Sequence, residues 1–161
     1  MEEIVRLQKN LLLIRRAVGW SAGQFGNQIG VTRQTINNIE NGRNKLTKTQ
    51  YIAMRSVLDA EIVKYPEETK MLKILLEVTV DHPENYSESY KKELIERANL
   101  ICPAINAGTA TREEVSNEWI KYATQGAMAL GLIAGGIIGF LEQSSTNTIS
   151  SWLQRVIKSS K

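Results

Sequence analysis

Ser21-Ala-Gly-Gln24, Thr32 and Thr47-Lys-Thr-Gln50 place three helix starts in quick succession near the front of the chain. At each, a hydroxyl side chain can accept from a backbone N–H that the first helical turn leaves unsatisfied. Gln24 and Gln50 complete reciprocal capping boxes. Starts this dense permit only short helices. A further helix precedes them, because Ile4, Leu7, Leu11, Ile14 and Val18 recur at a helical period and stop at Gly19. Ile36 and Ile39 mark the inward side of the helix opened by Thr32. Tyr51, Met54 and Leu58 do the same for the helix opened by Thr47, expected to end near Leu58. Strand signals are nearly absent, so the sequence predicts an all-α chain whose first unit, residues 1–62, is a compact four-helix domain.

Downstream, Pro66 marks a fresh start, and an apolar-rich helix is expected over 67–80, ending at Asp81-His82-Pro83. Asn85-Tyr-Ser-Glu88 is read as the cap of a helix running to Cys102, before Pro103. Thr111-Arg-Glu-Glu114 opens a long helix to Leu141, and a terminal helix over about 149–158 carries Ile149, Trp152, Leu153, Val156 and Ile157 on one face. Residues 63–110 are expected to form a helical linker and oligomerisation region. Residues 111–161 are expected to supply the long glycine-spaced apolar helix and the terminal amphipathic one.

Charge is uneven along the chain. Residues 1–59 hold nine Lys/Arg against four Asp/Glu, whereas residues 60–161 hold eleven against thirteen. The basic surplus sits in the first half, which suits a phosphate polymer. The single cysteine, Cys102, excludes an intramolecular disulfide and fits a reducing cytoplasm. MEEIVRLQKN lacks the basic-then-apolar layout of a signal peptide, so cytoplasmic localisation is expected.

The helix opened by Thr32 has an unusual polar face. Its polar side chains are Arg33, Gln34, Thr35, Asn37 and Asn38, which make directed hydrogen bonds, rather than the Glu/Lys pairs of a solvated helix. Two short helices joined at Gly30-Val31 form a helix-turn-helix, and such a helix fits the major groove of B-DNA. Arg33 matches guanine O6/N7, Gln34 and Asn38 match adenine N6/N7, and Thr35 can offer a methyl to thymine or a hydroxyl to phosphate. The helix starts at Ser21 and Thr32 can present N–H groups to phosphate, while Arg43, Asn44 and Lys45 follow in a loop suited to gripping the backbone.

Residues from about Leu11 to Leu58 resemble the Cro/C1-type (XRE, lambda-repressor-like) helix-turn-helix family of phage and bacterial repressors. The resemblance rests on Ile14-Arg15-Arg16, on Ser21 with Phe25, on Ile29-Gly30-Val31-Thr32, and on the run from Arg33 to Gly42. It implies that positions 33, 34, 35, 37 and 38 face double-stranded DNA, that Arg15 pairs with Glu40 inside the domain, and that dimers bind palindromic operators. Two departures stand out. Ala22 lies where many relatives carry a phosphate-contacting Gln, and Gly23 and Gly26 lie inside the second helix, each costing roughly 1 kcal/mol against Ala. Gly26 suits a close helix crossing; Gly23 has no such account.

The segment YATQGAMALGLIAGGIIGFL, residues 122–141, carries no charge. Gly131, Gly135 and Gly139 recur every four residues and so share one helix face, as in small-residue helix packing. Two readings remain open. One is a membrane helix over 123–141, with Trp119, Tyr122 and Trp152 as interfacial anchors and the terminal helix on an anionic surface. The other is a soluble helix buried in a bundle or homo-oligomer, since Thr124 and Gln125 shorten the apolar run.

Catalysis finds little support. His82 beside Pro83 reads as a surface turn, Cys102 as a buried thiol, and the two make neither a dyad nor a metal site. No cofactor is expected. The sequence therefore predicts a non-enzymatic, sequence-specific DNA-binding regulator, a repressor acting as a homodimer or higher homo-oligomer. The alternatives are a membrane-associated assembly protein and a partner-binding protein of the antitoxin or phage-switch kind, each with the helix-turn-helix as adaptor.

Overall fold

The computed structural model describes residues 2–129 and 145–159. Among these residues every regular element is helical: α1 Glu2–Val18, α2 Ala22–Ile29, α3 Arg33–Glu40, α4 Lys48–Lys64 and α5 Lys70–Leu76. A π-helical turn (Glu77–Asp81) and a 3-10 turn (Pro83–Asn85) follow, then α6 Glu88–Ile101, α7 Pro103–Asn106, α8 Arg112–Ala129 and α9 Ser145–Lys158. Ser21 and Thr47 close complete capping boxes, and Thr32 accepts from Thr35 N. Thr111 and Glu114 likewise satisfy each other's backbone N–H at 3.2 and 3.0 Å.

Three boundaries differ from expectation. α4 continues to Lys64, because Ile62 extends its buried side by one more turn. The cap of α6 is Ser87, which accepts from Tyr90 N, and not Asn85, which lies in the 3-10 turn that Pro83 opens. The helix expected over 67–80 starts at Lys70 and changes to the wider π winding at Glu77.

Residues 71–81 are buried on every side, so this is the central helix of the molecule. One of its faces, Leu72, Leu76 and Val80, joins a core built from Leu7, Leu11 and Ile14 of α1, Phe25 of α2, Ile36 and Ile39 of α3, and Tyr51, Met54 and Leu58 of α4. The opposite face, Met71, Ile74, Leu75 and Val78, packs with Tyr90 and Leu94 of α6 and Val115 and Trp119 of α8. Trp152 and Val156 of α9 complete the first core.

Polar groups on the central helix are held by partners from afar. Asp81 accepts from both Nη atoms of the fully buried Arg55 of α4, at 2.6 and 3.0 Å. Trp152 Nε1 donates to Asp59 one turn further along α4, and Arg155 of α9 donates to Glu3 of α1. Burial pushes the Asp59 carboxyl upward, against the pull of Arg55 and of the Trp152 N–H. The result is a buried charge cluster that fastens α1, α4, the π turn and α9 together. Arg112 ties the start of α8 to the same half of the molecule, donating to Val18 O, Glu61 and Glu68.

The membrane anchors expected of Trp119 and Trp152 are corrected by this packing. Both indoles are buried, and Trp119 Nε1 donates to Leu94 O. Tyr122 lies under the Arg97 guanidinium, and Trp152, Leu153 and Val156 of α9 pack on the first core, whereas Ile157, expected on the same face, stays exposed. No helix among the described residues is long and apolar enough to cross a membrane. Gly131, Gly135 and Gly139, and most of the 123–141 segment, lie outside the described residues.

Candidate nucleic-acid interface

The turn between α2 and α3 is set by two glycines. Gly30 closes α2 in the left-handed region (φ 77°), and a Cβ on Gly26 would stand 2.6 Å from Val31 O, so only glycine lets the turn pass this close to α2. Nothing crowds a Cβ at Gly23, whose choice the structure does not explain.

This turn presents α3 with Ile36 and Ile39 inward and its polar residues outward. Arg33 and Gln34 are exposed; Thr35, Asn37 and Asn38 are half-buried on the flanks. Gln34 and Asn38 join their carboxamides at 3.0 Å. With Gln34 Nε2 donating to Asn38 Oδ1, both side chains keep donors and acceptor capacity for an outside partner. Thr32 and Thr35 share a hydrogen bond between hydroxyls at 3.0 Å, which steadies the first turn of α3. Ser21 Oγ accepts from Gln24 N at 3.1 Å while its own O–H proton stays free to donate. Ala22 points into the core and cannot replace the phosphate contact of a Gln.

Arg15 grips the other end of α3. Its Nε and Nη2 donate to the two carboxylate oxygens of Glu40, and its Nη1 donates to Trp20 O at 2.9 Å. Both side chains are nearly withdrawn from solvent, so the pair orients α3 against α1 and the α1–α2 turn. Beyond Glu40 the chain bends at Gly42, and Arg43, Asn44 and Lys45 are exposed. Among the described residues Arg33, Arg43 and Lys45 make no ion pair, so three cations border the polar face of α3 with their charge available.

A helix-turn-helix family model matches residues 11–64, which cover the C-terminal part of α1 and all of α2, α3 and α4. Residues 11–64 are a helix-turn-helix domain of the XRE, lambda-repressor-like type. The domain belongs to a class of DNA-binding transcription regulators. No curated protein and no solved structure matches the chain at a significant level. The helix-turn-helix domain does not stand alone: its core takes side chains from α5, the π turn and α9, outside the matched segment.

Sequence reasoning missed Gln8. It lies on α1 before the matched segment, and its carboxamide bonds the backbone on both sides of the 41–46 loop. A polar residue following Leu7 on an otherwise regular amphipathic helix gave no sign of this, because such positions are ordinarily solvated. Neither Cys102 nor His82 enters the interface. Burial raises the Cys102 thiol to about 12, and His82 Nδ1 pairs with Glu77 at 2.8 Å on the central helix. Among the described residues no His, Cys, Asp and Glu group could hold a metal ion.

Proposed function

We propose that the chain is a sequence-specific transcriptional repressor that reads a palindromic operator as a dimer. The observation that carries this reading is the outward row Arg33, Gln34, Thr35, Asn37 and Asn38, held rigidly from both ends and bordered by uncompensated cations. In this reading Arg33 binds guanine bidentately, and the joined Gln34–Asn38 carboxamides meet the donor and acceptor of adenine. Ser21, Thr32, Arg43, Asn44 and Lys45 hold phosphates and set the register. Two copies on one operator follow from the resemblance to Cro/C1-type domains, and occupancy of the operator excludes competing proteins.

Binding of the full chain to a duplex selected from a random pool tests this directly. Arg33→Ala should lose about 1–3 kcal/mol at one base position and relax the preference there. Equal affinity of wild type and variant for the selected site would remove Arg33 from the readout. Lys45→Ala should instead weaken all sequences alike and lower the slope of log K against log salt by about one unit. An unchanged slope would take Lys45 off the phosphate backbone. A stoichiometry of two chains per duplex supports the dimer; one chain per duplex rejects it.

A further inference from the structure

The loop after the recognition helix α3 has few attachments of its own. Gly42 N donates to Ile39 O, Asn44 N to Asn38 O and Arg43 N to Asn41 Oδ1, all from close neighbours in sequence. Leu46 at its exit is buried in the first core, and long-range hydrogen bonds come from Gln8. Its Nε2 donates to Ile39 O at 3.0 Å and to Asn44 O at 2.7 Å, and its Oε1 accepts from Leu46 N at 2.9 Å. One carboxamide thus binds the last turn of α3, the middle of the loop and its exit.

The chemistry admits few substitutes. Two carbonyl oxygens need two N–H donors on one nitrogen, and the Leu46 N–H needs an acceptor one bond away. A carboxamide on a two-carbon stem provides both. A carboxylate would turn negative oxygens towards two carbonyls, and a thioether would offer no donor. Asn44 is gripped through its backbone, and Arg43 and Lys45 flank it with exposed cationic side chains. Gln8 lies outside the segment matched by the family model while Ile39, Asn44 and Leu46 lie within it, so the bracket ties the matched domain to the residues before it.

We propose that Gln8 is a positioning residue for phosphate contact: it fixes the loop carrying Arg43, Asn44 and Lys45 at the height at which those residues meet the DNA backbone while α3 lies in the groove. The inference rests on the DNA-reading function above. Gln8 itself touches no DNA and acts through Asn44.

The test is a double-mutant cycle in the full chain with Gln8→Met, near in size and lacking both functions, and Lys45→Ala. Affinity for the selected duplex and for an unrelated duplex is measured across a salt series. The temperature is one at which far-UV circular dichroism shows each variant folded. Gln8→Met is expected to weaken both duplexes by about three- to tenfold, the worth of one to two ordinary hydrogen bonds. It should also flatten the salt slope, and Lys45→Ala should then cost markedly less than it does in the wild-type background. Gln8→Glu should reproduce the loss while keeping the acceptor for Leu46 N, which guards against a folding defect peculiar to Met. Fully multiplicative losses with an unchanged slope would overturn the positioning role while leaving the DNA-reading function intact. Absence of salt-dependent duplex binding by the wild type would overturn both.

Discussion

Asp81→Ala is expected to lower the free energy of unfolding by about 3–5 kcal/mol, because it strands a buried guanidinium. Arg55 is fully buried, and Asp81 satisfies its Nη1 and Nη2 together. Once Asp81 is gone, the nearest acid recorded for Arg55 is Asp59, at 3.9 Å, and Asp59 is already engaged by the Trp152 N–H. Water cannot fill the gap cheaply, since the neighbouring π-turn residues are buried. The pair itself need not favour folding, as burying both ions has its own desolvation cost. The double variant Arg55→Met/Asp81→Leu is therefore expected to be considerably more stable than Asp81→Ala alone. Urea unfolding of the two variants and wild type by far-UV circular dichroism decides the matter. A loss below about 1 kcal/mol for Asp81→Ala would mean that Arg55 finds solvent or a new partner.

Trp152→Ala should cost about as much, about 3–5 kcal/mol, through lost burial and the cavity that remains. Its ring meets Tyr51 edge-on with centroids 5.8 Å apart and lies 5.1 Å from the Arg55 guanidinium, while its N–H satisfies Asp59. Trp152→Phe separates these roles. It keeps much of the apolar area but leaves a buried carboxylate oxygen short of a donor, for an expected loss of about 1–3 kcal/mol. Since domains of this size are stable by only about 5–15 kcal/mol, Trp152→Ala should also reduce DNA binding at moderate temperature by depleting the folded population. A Trp152→Ala protein that unfolds at the wild-type urea midpoint would show that α9 adds nothing to the first core.

These two side chains show where sequence reading stops. The starts at Ser21, Thr32, Thr47 and Thr111 were legible because an N-cap and its partner lie three residues apart, so the information is local. The outward face of α3 was legible for the same reason. Asn85 was misread because two capping residue types sit two positions apart and Pro83 draws the first into a 3-10 turn. The amphipathic pattern of 149–158 announced a buried face but not its destination. That destination, beside Asp59, lies 93 positions away. Gln8, Arg55 and Asp81 look like solvated polar residues in the sequence, and only the tertiary arrangement shows each aimed at a partner more than twenty residues distant.

The bond between Arg155 and Glu3 spans 152 positions, nearly the whole chain. Closing it requires α1 and α9 to meet, the kind of non-local contact that slows folding. During synthesis the segment bearing α2 and α3 emerges long before α9, and until then one wall of its core is missing. A nascent polypeptide that stops short of α9 would carry the outward side chains of α3 on an unfinished support. The first core thus reaches full stability only once α9 has been made, so folding of the helix-turn-helix domain is tied to chain growth far beyond residue 64.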